Sequence, residues 1–138
     1  MTANLSTYVD AIHDACNSHD SEKILRLCSP DYTGSDVSQP VPLRGLDDLR
    51  LMLERFWTAF PDLRFVATEM IMQGSRLALV WVAEGTHQGP IMNIPPTGRR
   101  VEVRGISIID VKDGLLIRGQ SIWDLAGMLR HLGLLPEL

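Results

Sequence analysis

The chain has 138 residues and a mass of 15.4 kDa, enough for one domain with a single sizeable core. An apolar fraction of 45% and a charged fraction of 22% exclude a disordered chain, and a net charge of −4 with interspersed signs excludes a basic nucleic-acid-binding face. The longest apolar runs are far too short to cross a bilayer, so neither nucleic acid nor membrane is an expected partner.

The first stretch, "MTANLSTYVDAIHDAC", carries acids where a signal peptide has its basic region, so a cytoplasmic location is expected. Leu5, Tyr8, Val9, Ile12 and Cys16 recur at helical spacing. A second helix is expected from Ser21 as N-cap, with Ile24, Leu25 and Cys28 inward and Pro30 ending it. Cys16 and Cys28 fall beside apolar neighbours and read as buried free thiols in a reducing compartment. The segment "DYTGSDVSQPVPLRG" holds too many Gly, Pro, Ser and Asp residues for more than one short strand and a loop. A third helix follows, in which Leu46, Leu49, Leu53, Phe56, Trp57 and Phe60 keep one face apolar until Pro61. Asp47 and Asp48 fall in its first turn, where the helix dipole favours them.

Beyond Pro61 the period changes. "LRFVATEMIM" and "RLALVWVAEGTH", split by "QGS", predict a β-hairpin. A loop, "IMNIPPTGRR", leads to a second hairpin, "VEVRGISIIDV" and "LLIRGQSIW", with Asp113-Gly114 at its turn. The chain closes with a short helix in "DLAGMLRHLGLLPEL". Helices followed by consecutive antiparallel strands predict an α+β domain over residues 1–138, its curved sheet wrapped around the third helix as a cone. Such a cone opens between sheet and helices, where a ligand would sit.

Three motifs in order, "FPDLRF", "EGTHQGPIMNIPPTGRRVEVRG" and "WDLAGMLRHLG", resemble the SnoaL-like polyketide or ester cyclases of the nuclear transport factor 2-like superfamily. The likeness spans roughly residues 5 to 133. It implies a cone-shaped barrel with a deep apolar pocket, chemistry without cofactor or metal, and a homodimer formed through the sheet. It also implies that Asp124, preceding the last helix, is the general base of an intramolecular aldol closure, and that His87 of "GTH" is a pocket histidine. The chain departs from the family pattern at Ser35, where a histidine is usual, with Asp36 retained. It departs again at Arg118 and Gln120, where a Glu and a Trp are usual, and at Asp110, which replaces an Arg.

Strand alternation puts Leu116, Arg118, Gln120, Ile122 and Asp124 on one face of the last strand. Facing the cone, that set supplies a base, an amide and a cation in an apolar site, the combination that removes a proton α to a carbonyl. Asp124 reads equally as a helix N-cap, and both roles can hold at once. His87 shares parity with Leu77, Leu79 and Trp81, which suits either a pocket group or a core histidine bonded to backbone. Tyr32, Trp57 and Trp81 are core or pocket wall, Arg118 a pocket cation or a surface ion pair. No two histidines have metal-ligand spacing, and no nucleophile elbow or dinucleotide fingerprint is present. Three readings follow. One is a cyclase or isomerase acting on a small apolar carbonyl compound. Another is an epoxide-opening enzyme of the limonene epoxide hydrolase type, with Asp36, Arg118 and Asp124 around a water. The third is a pocket or dimerising module without catalysis. The architecture places Trp57, Trp81, His87, Gln120 and Asp124 around a single cavity.

Overall fold

A computed structural model describes residues 5–136, so both extreme ends of the expected domain, including the start of the N-terminal stretch, lie outside the described residues. The element order is α1 (Leu5–Ser18), α2 (Ser21–Leu25), β1 (Cys28–Asp36), β2 (Leu43–Arg44), α3 (Gly45–Ala59), β3 (Arg64–Gln73), β4 (Arg76–Thr86), β5 (Arg100–Lys112), β6 (Leu115–Trp123) and α4 (Leu125–His131). The strands form one unclosed six-stranded sheet in the order β2-β1-β6-β5-β4-β3. Neighbours are antiparallel except β1 and β6, which run parallel. The helices lie against one face of the curved sheet, and this α+β arrangement is the one the sequence predicts.

The front of the chain differs from expectation. Helix α2 stops at Leu25, and its N-cap is Asp20, whose carboxylate accepts the Glu22 N–H at 3.1 Å. Cys28 therefore opens a strand instead of ending a helix, and the one short strand expected in this region is nine residues long, β1. Proline, glycine and serine make that segment a poor isolated strand, but its pairing with β6 decides the matter.

The inner face of the sheet carries Leu77, Leu79 and Trp81 of β4 and Ile109 of β5, all buried with Leu25, Leu49 and Ala15 from the helices. Helix α3 begins where Asp48 accepts the Arg44 backbone N–H at 2.8 Å, and its apolar stripe faces the sheet. At its far end the "FPD" turn ties helix to sheet. Asp62 accepts the Thr86 N–H at 2.7 Å and the Thr86 hydroxyl at 2.8 Å, and these bonds hold its carboxyl below the usual range. On α1, the Asn17 side-chain amide pairs with both backbone groups of Phe65 at 2.8 Å, acting as one more rung on the edge strand β3.

One irregularity determines what the site contains. Val111 pairs with Leu116, whereas Asp110 pairs with Arg118, so Ile117 is an extra residue on β6. A β-bulge of this kind inverts the side-chain alternation beyond it. Leu116 faces the core, and after the bulge the inward positions are Gly119, Ser121 and Trp123.

Candidate functional site

Between α1, α3 and the inner face of the sheet lies a cavity of about 220 Å³. Its wall is mostly apolar: Ile12, Met52, Leu53, Phe56, Trp57, Phe60, Phe65, Leu79, Trp81, Val103 and Trp123 among others. Polar groups are few. Glu84, at one end of the wall, is held by Arg100 at 3.2 Å. Cys16 also lines the cavity, but burial pushes its thiol up to about 12, so it is no nucleophile near neutral pH. Asp36, Ser121 and Ser107 remain, and they sit side by side on β1, β6 and β5, because Asp36 pairs with Ser121 and Ser121 with Ser107.

Asp36 is half-buried at the end of β1, and its two oxygens are used differently. Oδ1 accepts the Trp123 indole N–H at 3.0 Å, the Ser38 N–H at 2.9 Å and the Ser38 hydroxyl at 2.6 Å. Oδ2 accepts no hydrogen bond from any described residue. The carboxylate is thus clamped through one oxygen only. Trp81, on the same wall, donates its indole N–H to Ser107 Oγ at 3.0 Å, and Ser107 and Ser121 hydroxyls lie 2.7 Å apart.

Gly105 allows the two tryptophans to converge. It lies between Trp81 and Trp123 in register, and a Cβ there would collide with the Trp81 ring and with Trp123 Cβ.

The residues singled out in the sequence divide. Asp36, Trp57 and Trp81 line the cavity. Asp124, Gln120, Arg118, His87 and Tyr32 do not, so the single cavity drawn around Trp57, Trp81, His87, Gln120 and Asp124 is not what the fold builds. The bulge at Ile117 is the reason for Arg118 and Gln120: both lie on the outer face, exposed. Arg118 instead shares Asp110 with Arg76, each at 2.8 Å. Asp124 is exposed at the head of α4, where Oδ1 accepts the Gly127 N–H at 2.8 Å; the cap is the role its contacts describe. Asp36, Arg118 and Asp124 do not meet around a common point, because Arg118 is on the opposite face of the sheet from Asp36.

His87 is fully buried, yet it is not part of the cavity wall. Its Nδ1 accepts the Thr97 N–H at 3.2 Å and lies 3.0 Å from the Thr97 hydroxyl. Accepting a backbone N–H assigns the ring proton to Nε2 of a neutral imidazole. With its own backbone bonded to Arg99 and Gly98, His87 fastens the 88–98 loop against Phe60, 5.5 Å away between ring centres. Tyr32 is a core residue whose ring crosses Gly34 and Gly119, where any Cβ would strike its hydroxyl. Burial raises its phenol above the usual range. Sequence reasoning missed Ser107, Ser121 and Trp123. Their signal was the Ser121-Trp123 parity, discarded because it was counted through the bulge.

Comparison with known proteins agrees with this architecture. The family model for SnoaL-like polyketide cyclases matches residues 6–132. Among solved structures, the chain resembles IdmH, a candidate polyketide cyclase from Streptomyces antibioticus, at 28% identity over 95% of this chain and 99% of that one, with a TM-score of 0.81. AclR, a candidate hydroxylase from Streptomyces galilaeus, aligns at 26% identity over 96% of this chain and 87% of that one, with a TM-score of 0.85. TsrD from Streptomyces laurentii aligns at 27% identity over 95% and 96%, also with a TM-score of 0.85. No curated protein sequence matches the chain.

Proposed function

Because the chain belongs to the SnoaL-like polyketide cyclase family, we propose that it is a cyclase-type enzyme that removes a proton α to a carbonyl, with Asp36 as the base. The observation that carries this is the asymmetric clamp on Asp36: three hydrogen bonds on Oδ1 and none from a described residue on Oδ2, in a wall that is mostly apolar. A carboxylate fixed in this way needs little reorganisation to take a proton, and the apolar surroundings make the ligand's carbonyl the chief electrostatic partner. In the step, the α C–H bond breaks, the proton passes to Asp36 Oδ2, and the electron pair becomes an enolate. The enolate carbon then attacks a second carbonyl of the same molecule, whose C=O π bond breaks to an alkoxide that takes the proton back from Asp36, or Asp36 returns the proton to another carbon of the enolate in an isomerisation.

Cavity size bounds the substrate. A cavity of roughly 150 Å³ holds one benzene ring, so about 220 Å³ suits a substituted monocycle or a two-ring compound. Trp57, Trp81, Phe56 and Trp123 offer flat apolar surfaces to such a ring. Under this reading the partners are a small apolar carbonyl compound and a second copy of the chain.

The test is α-proton exchange. In heavy water, with a panel of indanones and tetralones and with oxygen removed, the enzyme should catalyse deuterium uptake at the α carbon. Excluding oxygen separates proton abstraction from hydroxylation. Asp36→Asn, which keeps the Trp123 and Ser38 bonds, should lower the rate by roughly 10²–10⁴-fold. Equal exchange by wild type and variant would remove Asp36 from the mechanism; saturable binding without any exchange would favour a ligand-binding module.

A further inference from the structure

The hydroxyl pair on the cavity wall has a proton left over. Ser107 and Ser121 carry one hydroxyl hydrogen each, and a single bond of 2.7 Å joins them. Neither hydroxyl donates to any other described residue. One O–H is therefore free whichever way the pair is oriented. Trp81 sets the direction, since an indole N–H can only donate and it donates to Ser107. A chain in which each group accepts and then donates is mutually polarised, which favours Trp81 to Ser107 to Ser121 and leaves the Ser121 proton at the open end.

That end is next to the base. Ser121 is the register partner of Asp36 on the neighbouring strand, yet no bond joins their side chains. A donor and an acceptor thus stand side by side on the cavity wall, one strand spacing apart, roughly 4.8 Å. This spacing suits a carbonyl oxygen at the donor and its α hydrogen at the acceptor.

We propose that the Ser121 hydroxyl, polarised through Ser107 and Trp81, is the subsite that binds the substrate's carbonyl oxygen and takes up the enolate charge as Asp36 removes the proton. The proposal rests on the Asp36 reading for its chemistry but not for its test. Ser121 contacts the substrate; Ser107 and Trp81 are positioning residues that act through it. No atom of the hydroxyl is consumed: the enolate oxygen gains charge, and the Ser121 O–H bond stays intact.

The experiment uses para-nitrophenol, a flat one-ring compound whose phenolate mimics an enolate and whose ionisation is visible by absorbance. It is titrated into Asp36→Asn protein, where the neutral amide stands for the protonated base. The subsite should favour the phenolate, so the bound phenol ionises at lower pH than the free one. Adding Ser121→Ala should weaken phenolate binding about tenfold or more and move the bound titration up by about one pH unit or more. Ser121→Ala leaves the Trp81–Ser107 bond in place, so the protein should keep its thermal midpoint. Ser107→Ala should give a smaller shift in the same direction, and Ser121→Thr, which restores a hydroxyl, should restore the titration. Unchanged affinity and titration in Ser121→Ala would overturn the proposal, as would failure of Ser121→Thr to recover while still folded. A silent Asp36→Asn in the exchange assay, with a Ser121-dependent phenolate, would reject the base and keep the subsite.

Discussion

Asp36 and Asp124 are both carboxylates at strand ends, and their contacts assign them different work. Asp124→Asn should be nearly silent in stability and in α-proton exchange, whereas Asp124→Ala should cost about 0.5–2 kcal/mol by loss of the cap. Denaturant titration and the exchange assay read the two effects separately, and a rate loss in a folded Asp124→Asn protein would restore it to the mechanism. The thiols make a second residue-level test. Burial pushes both Cys16 and Cys28 up to about 12, so an aromatic disulfide reagent at pH near 8 should label neither until denaturant is added. Rapid labelling of native protein would contradict that. The cavity residues on the helix were readable because α3 is regular: the stripe from Leu46 to Phe60 survives any local counting. Those on β6 were not, because alternation is a running count. A single inserted residue at Ile117 exchanged Ser121 and Trp123 for Gln120 and Arg118, and the mid-strand Gly119 signals a bulge or bend nearby without fixing its position. Asp36 was named, but its clamp requires Trp123 to arrive from the other end of the chain.

At the scale of elements, β5 is the strand whose shape the site depends on. Gly105→Ala would push a methyl group against both Trp81 and Trp123. We expect a loss of about 1–3 kcal/mol from overpacking, together with weaker ring binding, measured by denaturant titration and by quenching of indole fluorescence with a phenol. An unperturbed variant would mean the indoles are held elsewhere. Both ends of β4 are tied by carboxylates whose ionisation makes the fold depend on pH, Asp110 at Arg76 and Asp62 at Thr86. Asp62, bonded to Thr86, and Asp110, bonded first of all to Arg76, both ionise below the ordinary carboxyl value of 3.8. A depressed folded pKa stabilises the fold fully above the unfolded value, and that contribution is lost as the pH falls through the folded one. The thermal midpoint should therefore drop on acidification below about pH 4, and Asp62→Asn should lie below wild type at neutral pH and converge with it in acid. Parallel curves at all pH values would rule out that linkage. The two hairpins were legible from turn residues and alternation. Strand β1 was legible only as a short strand, because its propensity is poor and the partner that extends it, β6, lies far along the chain.

For the whole molecule, the outer face of the sheet is the open question of packing. Ile106 and Ile122 pair across β5 and β6 on that face, 47% and 57% exposed, with Val80 beside them. Contiguous apolar surface of this kind is ordinarily covered, and a second copy of the chain would cover it with the same face. Sedimentation at micromolar concentration should give a dimer, and Ile106→Lys with Ile122→Lys should give a folded monomer; a monomeric wild type would remove the claim. The parallel pairing of β1 with β6 has a kinetic consequence. Asp36 and Trp123 are 87 residues apart, and the strand between β1 and β5 is the last one made. A ribosome releasing this chain would therefore present β1 with no strand partner but the two-residue β2 until β6 had emerged. Closure of that long loop is an entropic barrier that local hairpins do not share. The β3–β4 hairpin should gain hydrogen-exchange protection early, while β1 and the ligand cavity should mature together in the slow phase of refolding.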